Sequence, residues 1–319
     1  MVAFVFPGQG SQFAGMGRDL YDSFKESRAI FERADQILGF SLSRLCFEGP
    51  IEELTKTRNC QPAVLTTSIA ALEAFKTLPD RPSASPRGEQ AGRIPFPVAR
   101  YTAGLSLGEY SAYIASGILS FDQALPLVKE RAELMEETAK MHPGKMSAVI
   151  GMDRKTIQEI CGQSGAEIAN INCPGQIVIT GRIEAVDQAK KSIMEKGAKR
   201  VIDLEVSGAF HSSLMKEAAI KLKARLDGFK IREADIPLIS NVTGLPESEP
   251  QEIRENMIRQ IYSPVLWEDS VRFMAVQGIK TCYEIGPGNV LKGLIRKIDP
   301  ALEVKNIGSI KDIIEINNN

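Results

Sequence analysis

Gly104-Leu105-Ser106-Leu107-Gly108 spells G-x-S-x-G, a spacing that lifts a serine hydroxyl out of a sheet on a sharp strand-to-helix turn. The apolar stretch before it reads as a strand, and Leu107, Tyr110, Ile114 and Ile118 after it keep helical spacing. The helix N-terminus behind the serine offers unpaired N–H groups and the positive end of its dipole. A serine that only caps the helix is the plainer alternative. A nucleophilic serine needs a general base, and the chain holds two histidines. His142, in Lys140-Met-His-Pro-Gly144, falls in a helix-ending loop. His211 follows Ser207-Gly-Ala-Phe210 where one stretch of chain hands over to another, a position that favours a cleft, and it is the preferred base. No acidic third member stands out, and a backbone carbonyl can orient the second ring nitrogen, so a Ser–His dyad is expected.

Gly8-Gln9-Gly10 follows the first strand directly. It fails as a dinucleotide fingerprint, because Phe13 occupies the third glycine position, and no Gly-Lys-Ser/Thr makes a P-loop. Such a turn still presents backbone N–H groups to an anion and, with the N–H of Leu107, can form an oxyanion hole. Arg131 shares a helical stripe with Leu127 and Leu134. Two readings stand: a stem snorkelling along an apolar flank or ion-paired with Glu130 or another acid, or a bidentate clamp for a substrate carboxylate.

Strands and helices must alternate to hold these groups. Ala3 to Phe6 reads as a strand, Asp19 to Leu38 as a helix, Pro62 to Phe75 as a second helix, Val98 to Thr102 as a strand and Asp122 to Lys140 as a helix. Residues 79–97, with five prolines, read as an extended surface loop. From 145 the texture changes. Met146–Met152, Glu167–Asn172, Gln176–Thr180 and Arg200–Val206 read as strands, with helices at Arg154–Cys161 and Glu184–Glu195. That order, β-α-β-β-α-β, is the split ferredoxin-like unit. The expected organisation is a large α/β domain formed by 1–144 and 207–319, with a small ferredoxin-like domain, 145–206, inserted. The large domain is expected to end in a helix, Asn289 to Ile298, and a fraying polar tail at Ile316–Asn319.

Composition narrows the function classes. The 319 residues suit about two domains at roughly 100–200 residues each. The net charge of −1 gives no bulk attraction to nucleic acid or anionic membrane. The five cysteines form no C-x-x-C, so neither a zinc site nor a disulfide framework is signalled, and reduced packing thiols are expected. No apolar run approaches the roughly 18 residues of a spanning helix, and the apolar N-terminal run stops at Pro7. A cytoplasmic protein is expected. Asn241-Val-Thr243 is a formal glycosylation acceptor, a match that means little without an export signal.

Four segments taken together carry a resemblance: Phe6-Pro-Gly-Gln-Gly-Ser-Gln12, Gly104-Leu-Ser-Leu-Gly-Glu-Tyr110, Gly208-Ala-Phe-His-Ser-Ser-Leu-Met215 and Tyr283-Glu-Ile-Gly-Pro-Gly288. In order and spacing, from about residue 3 to about 300, the chain resembles the malonyl-CoA:acyl carrier protein transacylase family. The resemblance implies an α/β-hydrolase-like large domain with an inserted ferredoxin-like domain. It implies Ser106 as nucleophile, His211 as base, and Arg131 as partner of the free malonyl carboxylate. Gln9 and Leu107 match the backbone donors of the oxyanion hole, and Gln260 matches the residue whose main-chain carbonyl holds the histidine. Asn172 falls in a cleft-lining segment of similar proteins, although a turn-forming asparagine before Pro174 reads equally well. Phe210 resembles the malonyl-selecting form of its motif. The sequence departs from the family at Leu105, where many members carry histidine, and in the length of the proline-rich segment.

The implied reaction is a ping-pong transfer of malonyl from malonyl-CoA to the phosphopantetheine thiol of an acyl carrier protein, supplying extender units for fatty-acid synthesis. A discrete acyltransferase of a polyketide synthase carries the same residues, and a serine acyl-thioester hydrolase is the competitor from another reaction class. No bound cofactor or metal is expected, and the resemblance favours a monomer. Carrier proteins are acidic, which makes Lys292, Arg296 and Lys297 the candidate docking residues; 292 and 296 share a helix face.

Overall fold

In the computed structural model of the chain, the described residues are 1–77 and 96–317. Their ten strands are β1 (Val2–Phe6), β2 (Ala99–Gly104), β3 (Gly144–Ile150), β4 (Glu167–Cys173), β5 (Gln176–Arg182), β6 (Arg200–Asp203), β7 (Leu238–Ile239), β8 (Pro246–Glu247), β9 (Thr281–Ile285) and β10 (Glu303–Ile307). They form two sheets, a six-stranded one in the order β10-β9-β1-β2-β7-β8 and a four-stranded one in the order β4-β5-β3-β6.

The larger sheet is parallel except for the β7–β8 edge. Parallel strands are covered on both faces and therefore read as continuous apolar runs, as β1 does. Its alternate residues feed two cores. Phe4 and Phe6 pack with the helix Thr57–Lys76, while Ala3 and Val5 pack with Trp267, Leu291 and Ile295. The helix Phe121–Met141 begins with a capping box, Ser120 and Gln123 each bonding the other's backbone.

The smaller sheet is antiparallel throughout, with β3 and β5 central. Its helices, Arg154–Ser164 and Ile183–Glu195, pack Ile157, Ile160, Val186 and Ile193 against Val149, Ile171, Ile177 and Ile179. The ferredoxin-like order expected from sequence is present, its first strand starting at Gly144 and its last ending at Asp203. A parallel bridge between Asn170 and Val265 ties β4 to the large unit.

Local expectations need correction. The helix expected over 19–38 is two helices, Arg18–Ser23 and Lys25–Leu38, parted by an extended Phe24. The helix expected from Pro62 begins at Thr57 and carries Pro62 inside it. The helix after Ser106 ends at Ala115, short of Ile118. After the helix expected to end at Ile298 come β10 at the sheet edge and the helix Ile310–Asn317, which takes in Ile316 and Asn317 of the expected tail, while 318–319 lie outside the described residues. The proline-rich segment lies outside the described residues, except for Phe96 and Pro97. All five cysteines are buried, and burial pushes the Cys60 and Cys282 thiols up to about 12, so they stay protonated. Among the described residues no helix is long and apolar enough to cross a membrane.

Candidate active site

Parallel pairing of β1 with β2 sets Phe6 beside Gly104, so the turns leaving both strands emerge together. Close backbone approach explains the glycines. A Cβ on Gly104 would lie 2.0 Å from the Gly108 carbonyl carbon, one on Gly108 would lie 2.1 Å from the Phe6 oxygen, and one on Gly8 would lie 2.3 Å from the Leu105 oxygen. The Pro7–Gly10 turn is thereby pressed against the serine's turn. Among the described residues, Ser106 (φ 52°) and His211 (φ 58°) are the two non-glycine residues in the left-handed region, each costing on the order of 1–3 kcal/mol that the surroundings must offset.

Ser106 Oγ lies 2.8 Å from His211 Nε2, and His211 Nδ1 lies 2.8 Å from the Gln260 carbonyl oxygen. A proton on Nδ1, donated to that carbonyl, leaves Nε2 free to accept from the serine. The loop carrying His211 is gripped from two sides. Thr180 Oγ1 on β5 donates to the Phe210 carbonyl at 3.0 Å, and a Cβ on Gly208 would lie 2.3 Å from Ala139 Cβ in the long helix. Burial and the nearby Arg131 charge push the His211 imidazole down to about 4, so it is neutral at neutral pH. His142 lines no part of the site; its half-exposed ring lies 3.6 Å from the Glu217 carboxylate.

Arg131 is 1% exposed, and its neighbours are neutral acceptors. It donates to Gln61 Oε1 at 2.6 Å, to Gln260 Oε1 at 3.0 Å and to Ser106 Oγ at 3.3 Å, lies 5.4 Å from the Tyr110 ring centroid, and has an unpartnered Nε. Glu130 instead pairs with Arg225 at 2.9 Å, which overturns both the snorkelling and the Glu130 ion-pair alternatives. A buried guanidinium without a carboxylate beside it is costly unless an anion arrives.

A cavity of about 210 Å³ opens over Ser106, between the two sheets. Gln9, Leu105, Leu107, Phe210 and His211 line it from the large unit, and Met146, Asn170, Asn172, Gln176 and Val178 from the small sheet. The backbone N–H groups of Gln9 and Leu107 have no partner among the described residues. Asn172 sits within β4 and its Oδ1 is buried without a partner; the turn that follows belongs to Pro174 and Gly175, so the turn-forming reading of Asn172 is corrected. Val290 and Leu294, from the helix Val290–Ile298, close one wall. Lys292, Arg296 and Lys297 ride on that helix, and Lys297 Nζ reaches Gln176 Oε1 at 3.3 Å across the rim.

Three residues at the site escaped sequence reasoning. Gln61 was visible only as a polar residue entering an apolar helix. Asn241, in the formal glycosylation pattern that carries no weight, is 1% exposed, and its Oδ1 accepts the Ser106 N–H at 2.7 Å. Glu109 is 1% exposed, and burial, then Glu247, push its carboxyl up to about 8.

A serine on a strained elbow, within hydrogen-bond reach of an imidazole and a guanidinium beneath a mainly apolar cavity, is an arrangement suited to serine acyl transfer. The chain belongs to the acyl transferase domain family, whose model matches residues 3–311, and is an acyltransferase. It is 47% identical to the malonyl CoA-acyl carrier protein transacylase of Bacillus subtilis (strain 168) over 307 residues, covering 95% of this chain and 92% of that one. It is 38% identical to the enzyme of the same name from Staphylococcus aureus (strain MRSA252), covering 99% and 98%. Among solved structures it resembles an acyl carrier protein S-malonyltransferase from Vibrio cholerae (TM-score 0.91, 36% identity, 99% of each chain covered). It also resembles a chain from a complex of a type II PKS acyl-carrier protein with its malonyl-transacylase (TM-score 0.89, 37% identity, 100% and 99% covered).

Proposed function

We propose that the chain transfers malonyl from malonyl-CoA to the phosphopantetheine thiol of an acyl carrier protein through a malonyl-Ser106 intermediate. One observation carries the reading: the Ser106 hydroxyl lies 2.8 Å from His211 Nε2 and 3.3 Å from a buried Arg131 that faces only neutral partners. A malonyl ester places its free carboxylate one methylene from the reacting carbonyl, close enough to meet that guanidinium. His211 Nε2 takes the Ser106 proton as Oγ bonds the thioester carbon. The oxyanion is held by the N–H groups of Gln9 and Leu107. Its collapse breaks the C–S bond, and the imidazolium returns the proton to the departing CoA thiolate. The carrier thiol then gives its proton to His211, attacks the ester, and leaves Ser106 protonated again. The names of the relatives support malonyl and carrier protein as substrates.

Phe210 crowds an α-methyl group, disfavouring methylmalonyl, and Asn172 lines the cleft as a substrate-binding residue, its unpartnered Oδ1 able to accept from an amide N–H of the pantetheine arm. The carrier docks on the Val290–Ile298 helix, where Lys292, Arg296 and Lys297 are in no ion pair among the described residues. The small unit is taken as 145–206 and the large as 1–144 with 207–319, the chain acting as a monomer on chemistry its own residues supply. The product feeds fatty-acid synthesis, the carrier of a polyketide synthase being the alternative acceptor.

Intact-protein mass spectrometry after brief mixing with malonyl-, acetyl- or methylmalonyl-CoA tests this. A malonyl adduct is expected on the wild type and none on Ser106→Ala. Arg131→Ala is expected to lose about thirtyfold or more in kcat/KM for malonyl-CoA, since truncating one partner of a buried charge pair costs about 2 kcal/mol or more. Free malonate and CoA accumulating without an adduct or transfer to carrier would make the chain a hydrolase.

A further inference from the structure

Glu109 stands three residues after Ser106 and is 1% exposed, yet the chemistry above does not use it. Its carboxyl joins two residues that hold the site. One oxygen accepts the Asn241 backbone N–H at 2.6 Å, and the other accepts from Gln260 Nε2. Asn241 in turn spans the elbow: its Oδ1 accepts the Ser106 N–H at 2.7 Å and its Nδ2 donates to the Gly104 carbonyl at 2.6 Å. Gln260 reaches the other groups. Its Nε2 also donates to the Ser106 carbonyl at 2.9 Å, its Oε1 accepts from Arg131 at 3.0 Å, and its own carbonyl holds His211 Nδ1.

Donor and acceptor types fix how the Gln260 amide sits. Arg131 only donates, the Ser106 carbonyl only accepts, and both carboxyl oxygens of Glu109 accept here, as they can in the neutral acid too. The amide therefore turns both N–H groups towards Glu109 and Ser106 and its oxygen towards Arg131. We propose that Glu109 is a positioning residue, fixing Arg131 through the side chain of Gln260 and the Ser106 elbow through Asn241. This rests on the reading of Arg131 as the partner of the substrate carboxylate. Glutamine at 109 keeps an oxygen for the Asn241 N–H but turns an N–H₂ group towards Gln260. The Gln260 amide must then flip, opposing its own N–H groups to Arg131, or leave a donor unpaired. The damage falls on the carboxylate side of the site more than on the nucleophile.

The test compares two reactions of Ser106 in the full-length enzyme: single-turnover acylation by malonyl-CoA, and labelling by a neutral alkyl fluorophosphonate, which needs the serine and its base but no carboxylate partner. Glu109→Gln is expected to slow malonyl-adduct formation at least about tenfold more than it slows labelling. Parallel loss of both, as simple destabilisation would give, or loss of neither, overturns the proposal. Gln260→Met, which keeps the carbonyl on His211 and removes the amide, is expected to give the same split, and carries the test if Glu109→Gln does not fold; parallel loss there overturns it equally. Adding Glu109→Gln to Gln260→Met is expected to widen the split no further, and further widening overturns the route through Gln260. Arg131→Ala is run alongside. If it shows no split, the clamp reading fails; if it splits and Glu109→Gln does not, the positioning role fails alone.

Discussion

His211 meets two demands that pull its pKa in opposite directions. The Gln260 carbonyl, accepting from Nδ1, favours the protonated ring, whereas burial and the Arg131 charge disfavour it more strongly and bring it to about 4. A base works only when neutral, so the first acyl transfer should gain rate as pH rises through about 4 and level off above. An ordinary imidazole would instead lose half its activity at about pH 6.5. Using malonyl-N-acetylcysteamine, which has no phosphate to titrate, kcat/KM is expected to stay level within about twofold from pH 5 to 7. A midpoint between 6 and 7 would contradict the low value. Ser106 and His211 were legible because each sits in a local pattern, a glycine-flanked serine and a histidine at a change of texture. Asn241 and Glu109 were not. Asn241 meets Ser106 across 135 residues of chain and Glu109 meets Gln260 across 151, and periodicity reports only near neighbours. Arg131 fell between: its stripe revealed burial, and only the fold revealed that its direct hydrogen-bond partners are neutral.

At the scale of elements, the helix Val290–Ile298 does two jobs. Its apolar face closes the cavity with Val290 and Leu294, and Glu284 anchors its start by accepting the N–H groups of Leu291 and Lys292, each at 2.8 Å. Its other face carries Lys292, Arg296 and Lys297 to the rim. Reversing all three to glutamate should raise KM for an acidic carrier protein at least about tenfold at low salt, an effect that fades as salt screens the encounter. Acylation by malonyl-N-acetylcysteamine, measured in parallel, should change little. An unchanged KM for carrier would move the docking surface elsewhere. The small sheet was legible strand by strand, because each strand is a short run carrying Val or Ile and bounded by turn or helix signals. Elsewhere single residues misled. Pro62 suggested a helix start, since proline suits a first turn, but backbone bonds from Asn59 and Cys60 to the Lys56 carbonyl begin the helix a turn and a half earlier. β10 escaped because Glu303, Lys305 and Asn306 mask an edge strand that buries only Val304 and Ile307.

Over the whole molecule, the cavity lies between the two sheets, and carboxyls buried in the large unit make stability depend on pH in an unusual direction. Burial pushes Glu109 up to about 8 and Glu247 and Glu284 up to about 7. Each keeps a proton in the folded chain that the unfolded chain releases near pH 4.5, so the stability it contributes is full below about 4.5 and lost as pH rises through 7 to 8. His211 has the opposite sign. Its folded value of about 4 lies below the ordinary 6.5, so its contribution is full above 6.5 and lost as pH falls towards 4. Between pH 5 and 8 three carboxyls oppose one imidazole, and the carboxyls win. Calorimetric Tm is therefore expected to be higher at pH 5.5 than at pH 8 by at least about 3 °C. Glu284→Gln should shrink that gap, because an amide has no proton to release. Glu109→Gln should shrink it too, whatever it does to acyl transfer. A Tm that is equal or higher at pH 8 would mean that these carboxyls are ionised in the folded protein, and that the Gln260 and Asn241 donors hold a full charge at Glu109.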